Sequence, residues 1–112
     1  MKSASAKQKG RRLQQWVRDK MLELTDDLEP NDVTSRSSGA GGTDLILSPK
    51  AYTYFPLAVE CKNVEKVNLW AAYEQACGHS DPGEPVVFLA RNRTKPLAIV
   101  SAEWLLELLA EA

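Results

Sequence analysis

GGTDLILSPKAYTYFPLAVECK, residues 41–62, is the stretch that decides the fold. Asp44 opens an apolar run of Leu45, Ile46 and Leu47, and Glu60 and Lys62 close a second run of Phe55, Leu57, Ala58 and Val59. Both runs read as strands, over about 43–48 and 54–62. Acids are depleted in strands and costly to bury alone, so charges at the ends of two neighbouring runs need a reason. Side chains alternate along a strand, which puts Glu60 and Lys62 on one face and turns Val59 and Cys61 into packing on the other. Between the runs lies SPKAYTY, with Pro49 and Lys50 as turn signals. The spacing predicts a hairpin that lays the strand of Asp44 beside that of Glu60. Two carboxylates with a backbone carbonyl between them form a hard, all-oxygen site of the kind magnesium accepts with several waters retained. Lys62 then stands beside the metal, where it can orient or help deprotonate a water, or offset charge building on a phosphate oxygen.

Asp44, fifteen intervening residues and then Glu60-Cys61-Lys62 resemble the PD-(D/E)XK nuclease superfamily. Within it, the chain is similar to the small archaeal-type and phage Holliday junction resolvases. The resemblance implies a single restriction-endonuclease-like α/β domain over 11–112, with a central mixed β-sheet flanked by helices in the order α-β-β-β-α-β-β-α. It implies an endodeoxyribonuclease dependent on Mg²⁺, with Mn²⁺ as a substitute. Asp44, Glu60 and Lys62 are then the catalytic residues, and Asp44, Glu60 and the Cys61 carbonyl the metal ligands. The implied substrate is four-way DNA, cut by a homodimer because two symmetric strands need two cuts. The implied setting is the cytoplasm of a bacterial or phage-infected cell. Rival readings are a phage or restriction-type enzyme acting on duplex DNA, a non-catalytic DNA-binding module that keeps the fold, and a small partner-binding protein with no nucleic acid. The resembled resolvases carry a glutamate four residues after a glycine in the first helix; counting from Gly10 arrives instead at Gln14. Its amide offers a neutral accessory to the site or is an ordinary helix-surface group. In the same family, small polar residues before the aspartate line the DNA backbone, which makes Arg36, Ser37 and Ser38 phosphate contacts by resemblance. On sequence alone that segment is equally a flexible connector.

A chain of 112 residues supports one core, and its 26% charged residues suit a globular domain. No apolar run reaches a membrane span, and no apolar stretch follows the basic N-terminus, so neither membrane insertion nor a signal peptide is expected. Net charge is −1, yet seven Lys or Arg and one acid lie between Lys2 and Lys20. Residues 1–10 read as a basic flexible arm, either a solvated tail or a contact to DNA phosphates. Lys9, Arg11 and Arg12 are its DNA-binding candidates. Cys61 and Cys77 form no metal motif with the single histidine and read as reduced thiols.

Apolar spacing predicts a helix over 11–28, ended by Pro30, and a short edge strand over 32–36. A second helix follows over 67–77, stopped by Gly78. His79, in the loop GHSDPGEP, reads as a solvent-exposed turn residue, with Tyr73 and Gln75 as surface or packing positions. A buried strand over 85–90, a basic turn (Arg91, Arg93, Lys95) and a short strand over 97–100 come next. Ser101 caps a last helix over 102–110, whose Trp104, Leu105, Leu108 and Leu109 form an apolar side with Leu106 left over. Those exposed apolar groups suggest self-association.

Overall fold

A computed structural model describes residues 2–37, 41–80 and 82–112. Helix α1 spans Lys2–Leu24, followed by a 3₁₀ turn at Pro30–Asp32. Strands β1 (Val33–Ser35) and β2 (Leu45–Leu47) pair antiparallel, Val33 opposite Leu47. Helix α2 (Pro49–Tyr54) leads to β3 (Leu57–Asn63), α3 (Leu69–Gly78), β4 (Glu84–Ala90), β5 (Leu97–Ile99) and α4 (Ala102–Glu111). Strand β4 is central in the second sheet, parallel to β3 and antiparallel to β5. The described residues form an α/β fold with a two-stranded antiparallel sheet, a mixed three-stranded sheet and four helices.

Leu13, Val17 and Met21, four apart on one face of α1, bury against Val59, Cys61 and Val86, and Leu28, Val33, Leu45 and Ala51 complete that core. The opposite sheet face is covered by α3, where Ala72 and Ala76 meet Val87. Alternation along β3 therefore sends Val59 and Cys61 to the α1 side and Glu60 and Lys62 to the α3 side. Arg18 of α1 locks the two parts together by donating to the carbonyls of Val33 (2.6 Å) and Pro30 (2.7 Å).

Three expectations are corrected. The expected flexible arm is helical from Lys2 onward, because its Ala, Lys and Gln residues are good helix formers that extend the amphipathic segment. The same helix stops at Leu24, four residues short of Leu28, since Asp26 and Asp27 are unfavourable at the negative end of a helix dipole. The hairpin between the two motif strands is absent, and with it a single sheet: β2 and β3 belong to different ladders and α2 joins them. Ser48 explains this. Its hydroxyl accepts the Ala51 N–H (3.0 Å) and donates to Asp32 (2.7 Å), and Pro49 sits where proline starts a helix well.

Gly83 has φ +112°, and a Cβ there would lie 2.9 Å from the backbone nitrogen of Ala58 and the carbonyl carbon of Leu57. The chain enters β4 through a gap only glycine fits. Among the described residues no helix is long and apolar enough to cross a membrane.

Candidate active site

Asp44 lies just before β2, and it bonds directly to β3. Its backbone N–H donates to the Val59 carbonyl (2.8 Å), and its Oδ2 accepts the Cys61 N–H (2.7 Å). In an extended strand the N–H and C=O of one residue point to the same edge, so the Cys61 carbonyl faces the Asp44 side while β4 occupies the other. The hairpin is missing, but the juxtaposition it was expected to produce is present.

Glu60 is 2% exposed, the one buried charged residue among those described. Its Oε2 lies 2.7 Å from Nδ1 of His79. Burial pushes its carboxyl above the usual carboxylate range, and the negative charge of Asp44 pushes the same way against the His79 hydrogen bond and the Lys62 charge. Asp44 is raised too, by burial, against the Cys61 N–H and the charges of Lys62, His79 and Arg36. Lys62 is half-buried on the Glu60 face and favours the ionised form of both acids. The Cys61 thiol is driven far above its ordinary range, first by burial and then by the two carboxylates. It stays protonated, so its contribution to an ion would be through the main chain.

His79 was expected in solvent; instead it caps the C-terminus of α3 and holds Glu60. The signal was topological. In a parallel β-α-β unit the helix runs back over the strands, so the residue just past its end returns to the first strand. Gln14 is half-buried on α1, which covers the Val59–Cys61 face, opposite to Glu60. No hydrogen bond joins Gln14 to Asp44, Glu60 or Lys62 among the described residues.

Arg36 does reach the site. Its backbone N–H donates to the Asp44 carbonyl (2.9 Å) and its Nε to the Thr43 carbonyl (2.6 Å). The guanidinium lies over Gly42 (φ +104°), where a Cβ would meet Cζ at 3.0 Å. Arg36, Gly42, Thr43, Tyr52 and His79 share the lining of a cleft of about 230 Å³. Ser37 is exposed beside it, and Ser38 lies outside the described residues. Lys9 is paired with Glu65 at 3.5 Å, whereas Arg11 and Arg12 are exposed on α1.

Oδ1 of Asp44 and Oε1 of Glu60 take part in none of these hydrogen bonds. No group of three or more His, Cys, Asp and Glu side chains is arranged to hold an ion among those residues. Two acids of raised pKa and one carbonyl nevertheless fit a hard cation that keeps several waters, because the cation would relieve their repulsion. Compared with known proteins, the chain matches no family model, no curated protein and no solved structure.

Proposed function

We propose that this protein is a divalent-metal-dependent endodeoxyribonuclease, with four-way DNA as its first substrate and the cytoplasm of a bacterial or phage-infected cell as its setting. The observation that carries the reading is the Asp44 carboxylate fixed to the Cys61 N–H, beside buried Glu60, with Lys62 and Arg36 as flanking cations. Asp44, Glu60 and the Cys61 carbonyl would hold Mg²⁺ or Mn²⁺. Such an ion supplies Lewis-acid polarisation of the phosphate and a more acidic water. Water oxygen bonds to phosphorus and gives up a proton to solvent, one ester P–O bond breaks, and the departing oxygen takes a proton from solvent to leave as a hydroxyl. Lys62 orients the water or offsets negative charge on the phosphate. Arg36, already held by Thr43, binds phosphate with little ordering cost. His79 keeps Glu60 in one rotamer.

The Glu60–His79 bond also favours a second reading, a non-catalytic DNA-binding module, since it gives the buried acid a partner without a metal. Cleavage of a labelled four-way junction and a matched duplex, with Mg²⁺ or Mn²⁺, by wild type and Glu60→Ala separates the two. Symmetric junction nicks lost in the variant support a resolvase. Equal cutting of duplex removes the junction preference, and binding of either DNA without cutting selects the module.

Arg36→Ala is expected to weaken DNA binding measured in EDTA by about tenfold and to lower the salt slope of log K by about 1. An unchanged slope would remove Arg36 from the phosphate contacts.

A further inference from the structure

Beside the acid pair lies a cleft that the proposed cleavage chemistry does not use. Its volume of about 230 Å³ is below the roughly 300–1,000 Å³ of sites for drug-sized ligands, and it suits one small ring system. Its lining adjoins the candidate site: Thr43 precedes Asp44 in the chain, and His79 is the partner of Glu60. Leu47 and Leu57, partly buried at the margin of the main core, give it an apolar wall. Tyr52 adds an aromatic ring that is half-buried. Helix α2 sets that ring in place, because the Ser48 cap fixes the first turn and Ala51, next to Tyr52, is buried in the core. Two polar groups complete the lining. Arg36 gives its Nε to the Thr43 carbonyl and has its two terminal nitrogens left over; His79 has Nδ1 engaged by Glu60 and Nε2 left over.

An apolar and aromatic wall cannot solvate a phosphate or a bare cation. It suits the flat face of a nucleobase, with Arg36 and His79 available to the polar edge of the ring. A base inside a duplex cannot enter, since its faces are covered by its neighbours in the stack. The entrant is therefore a base outside the stack. Arg36 is also the proposed phosphate contact, and the phosphate and base of one nucleotide are separated only by a sugar.

We propose that this cleft receives one unstacked nucleobase of the DNA, from a nucleotide beside the phosphodiester to be cut, with its ring against Tyr52. The inference rests on the nuclease reading and narrows its substrate class to DNA that presents an unpaired nucleotide, branch points with an opened pair included. Leaving the stack costs least for a base without a partner, so such DNA is selected by energy as well as by shape.

Binding is measured in EDTA, with the full chain and three DNAs that differ at one nucleotide. One has a thymidine paired with adenosine, one the same thymidine unpaired in a bulge, and one an abasic sugar in that bulge. Wild type is expected to bind the thymidine bulge about tenfold or more tighter than either of the others, the scale of one base stacked on an aromatic side chain. The comparison of the two bulges isolates the base and needs no variant, so folding does not enter. Tyr52→Ala is expected to bring the thymidine bulge to the affinity of the abasic one. Tyr52→Phe is expected to keep the preference, since the ring face remains. Equal binding of the two bulges by wild type would overturn the inference and, with DNA still cut in Mg²⁺, leave the nuclease reading standing. A preference that survives Tyr52→Ala would overturn it as well, because the base is then read elsewhere. No binding of any of the three DNAs would sink the nuclease reading itself and this inference with it.

Discussion

Glu60→Gln is expected to lower DNA cleavage by about 10²–10³-fold or more while leaving the metal-free protein at least as stable as wild type at neutral pH. The amide keeps the shape of the side chain and can still bond His79 Nδ1, so packing is preserved. It lacks the charge that a cation requires. It also lacks the charge that burial and Asp44 disfavour, the two causes that raise the Glu60 carboxyl. The direction with pH follows. A carboxyl whose folded pKa exceeds its unfolded value binds more protons in the native state. Its contribution to stability is complete below the unfolded pKa and is lost as pH rises through the raised folded value. The melting temperature of Glu60→Gln relative to wild type should therefore climb as pH rises from about 4 through that window and level off above it. Saturating Mg²⁺ should then raise the melting point of wild type and not of the variant, by linkage to binding. Wild-type cleavage by the variant would sink the catalytic assignment. A variant less stable at every pH would show instead that the Glu60–His79 pair is a net structural contact.

Gly83→Ala should cost about 2–4 kcal/mol, or roughly 10–20 °C in melting temperature for a domain of this size. Two effects combine. A positive φ is strained for any residue with a Cβ, and this Cβ would lie 2.9 Å from main-chain atoms of Leu57 and Ala58. The obstacle is backbone, so relief requires β4 to move away from β3 where their ladder begins, at Leu57 opposite Glu84. Glu60 sits three rungs further on, opposite Val87, and that movement shifts it relative to His79. Cleavage should fall even at temperatures where the variant is folded. A melting point within about 2 °C of wild type would show that the gap closes around the methyl group at little cost.

The pairing of Asp44 with the Glu60 strand was legible because alternation and two charged strand ends leave few arrangements. The last helix was legible too: Ser101 caps it through the Trp104 N–H at 3.2 Å. What escaped depended on competition between local signals. Ser48 and Pro49 are as good a helix start as a turn, and the cap to Ala51 decided for α2. The placement of His79 depended on where α3 returns over the sheet, which no local pattern records. The resemblance alone points to Gln14, whereas the face of α1 is set by Leu13, Val17 and Met21, which bury toward the opposite side of β3 from Glu60. Lys9 looked available to DNA until the fold supplied Glu65, distant in sequence, as its partner.

The bonds of Asp44 have a consequence for interpreting mutants. Among the described residues the two sheets share no ladder, and Asp44 stitches the seam between them through its own N–H and through the carboxylate that takes the Cys61 N–H. A reagent that doubles as a fastener confounds the usual test. Asp44→Ala would remove a proposed metal ligand and unpick the side-chain stitch at once, so a loss of cleavage would say nothing about which loss mattered. Asp44→Asn retains an oxygen for the Cys61 N–H and removes only the charge. The difference between those two substitutions, read in the melting curve, measures how much of this acid is mortar and how much is chemistry.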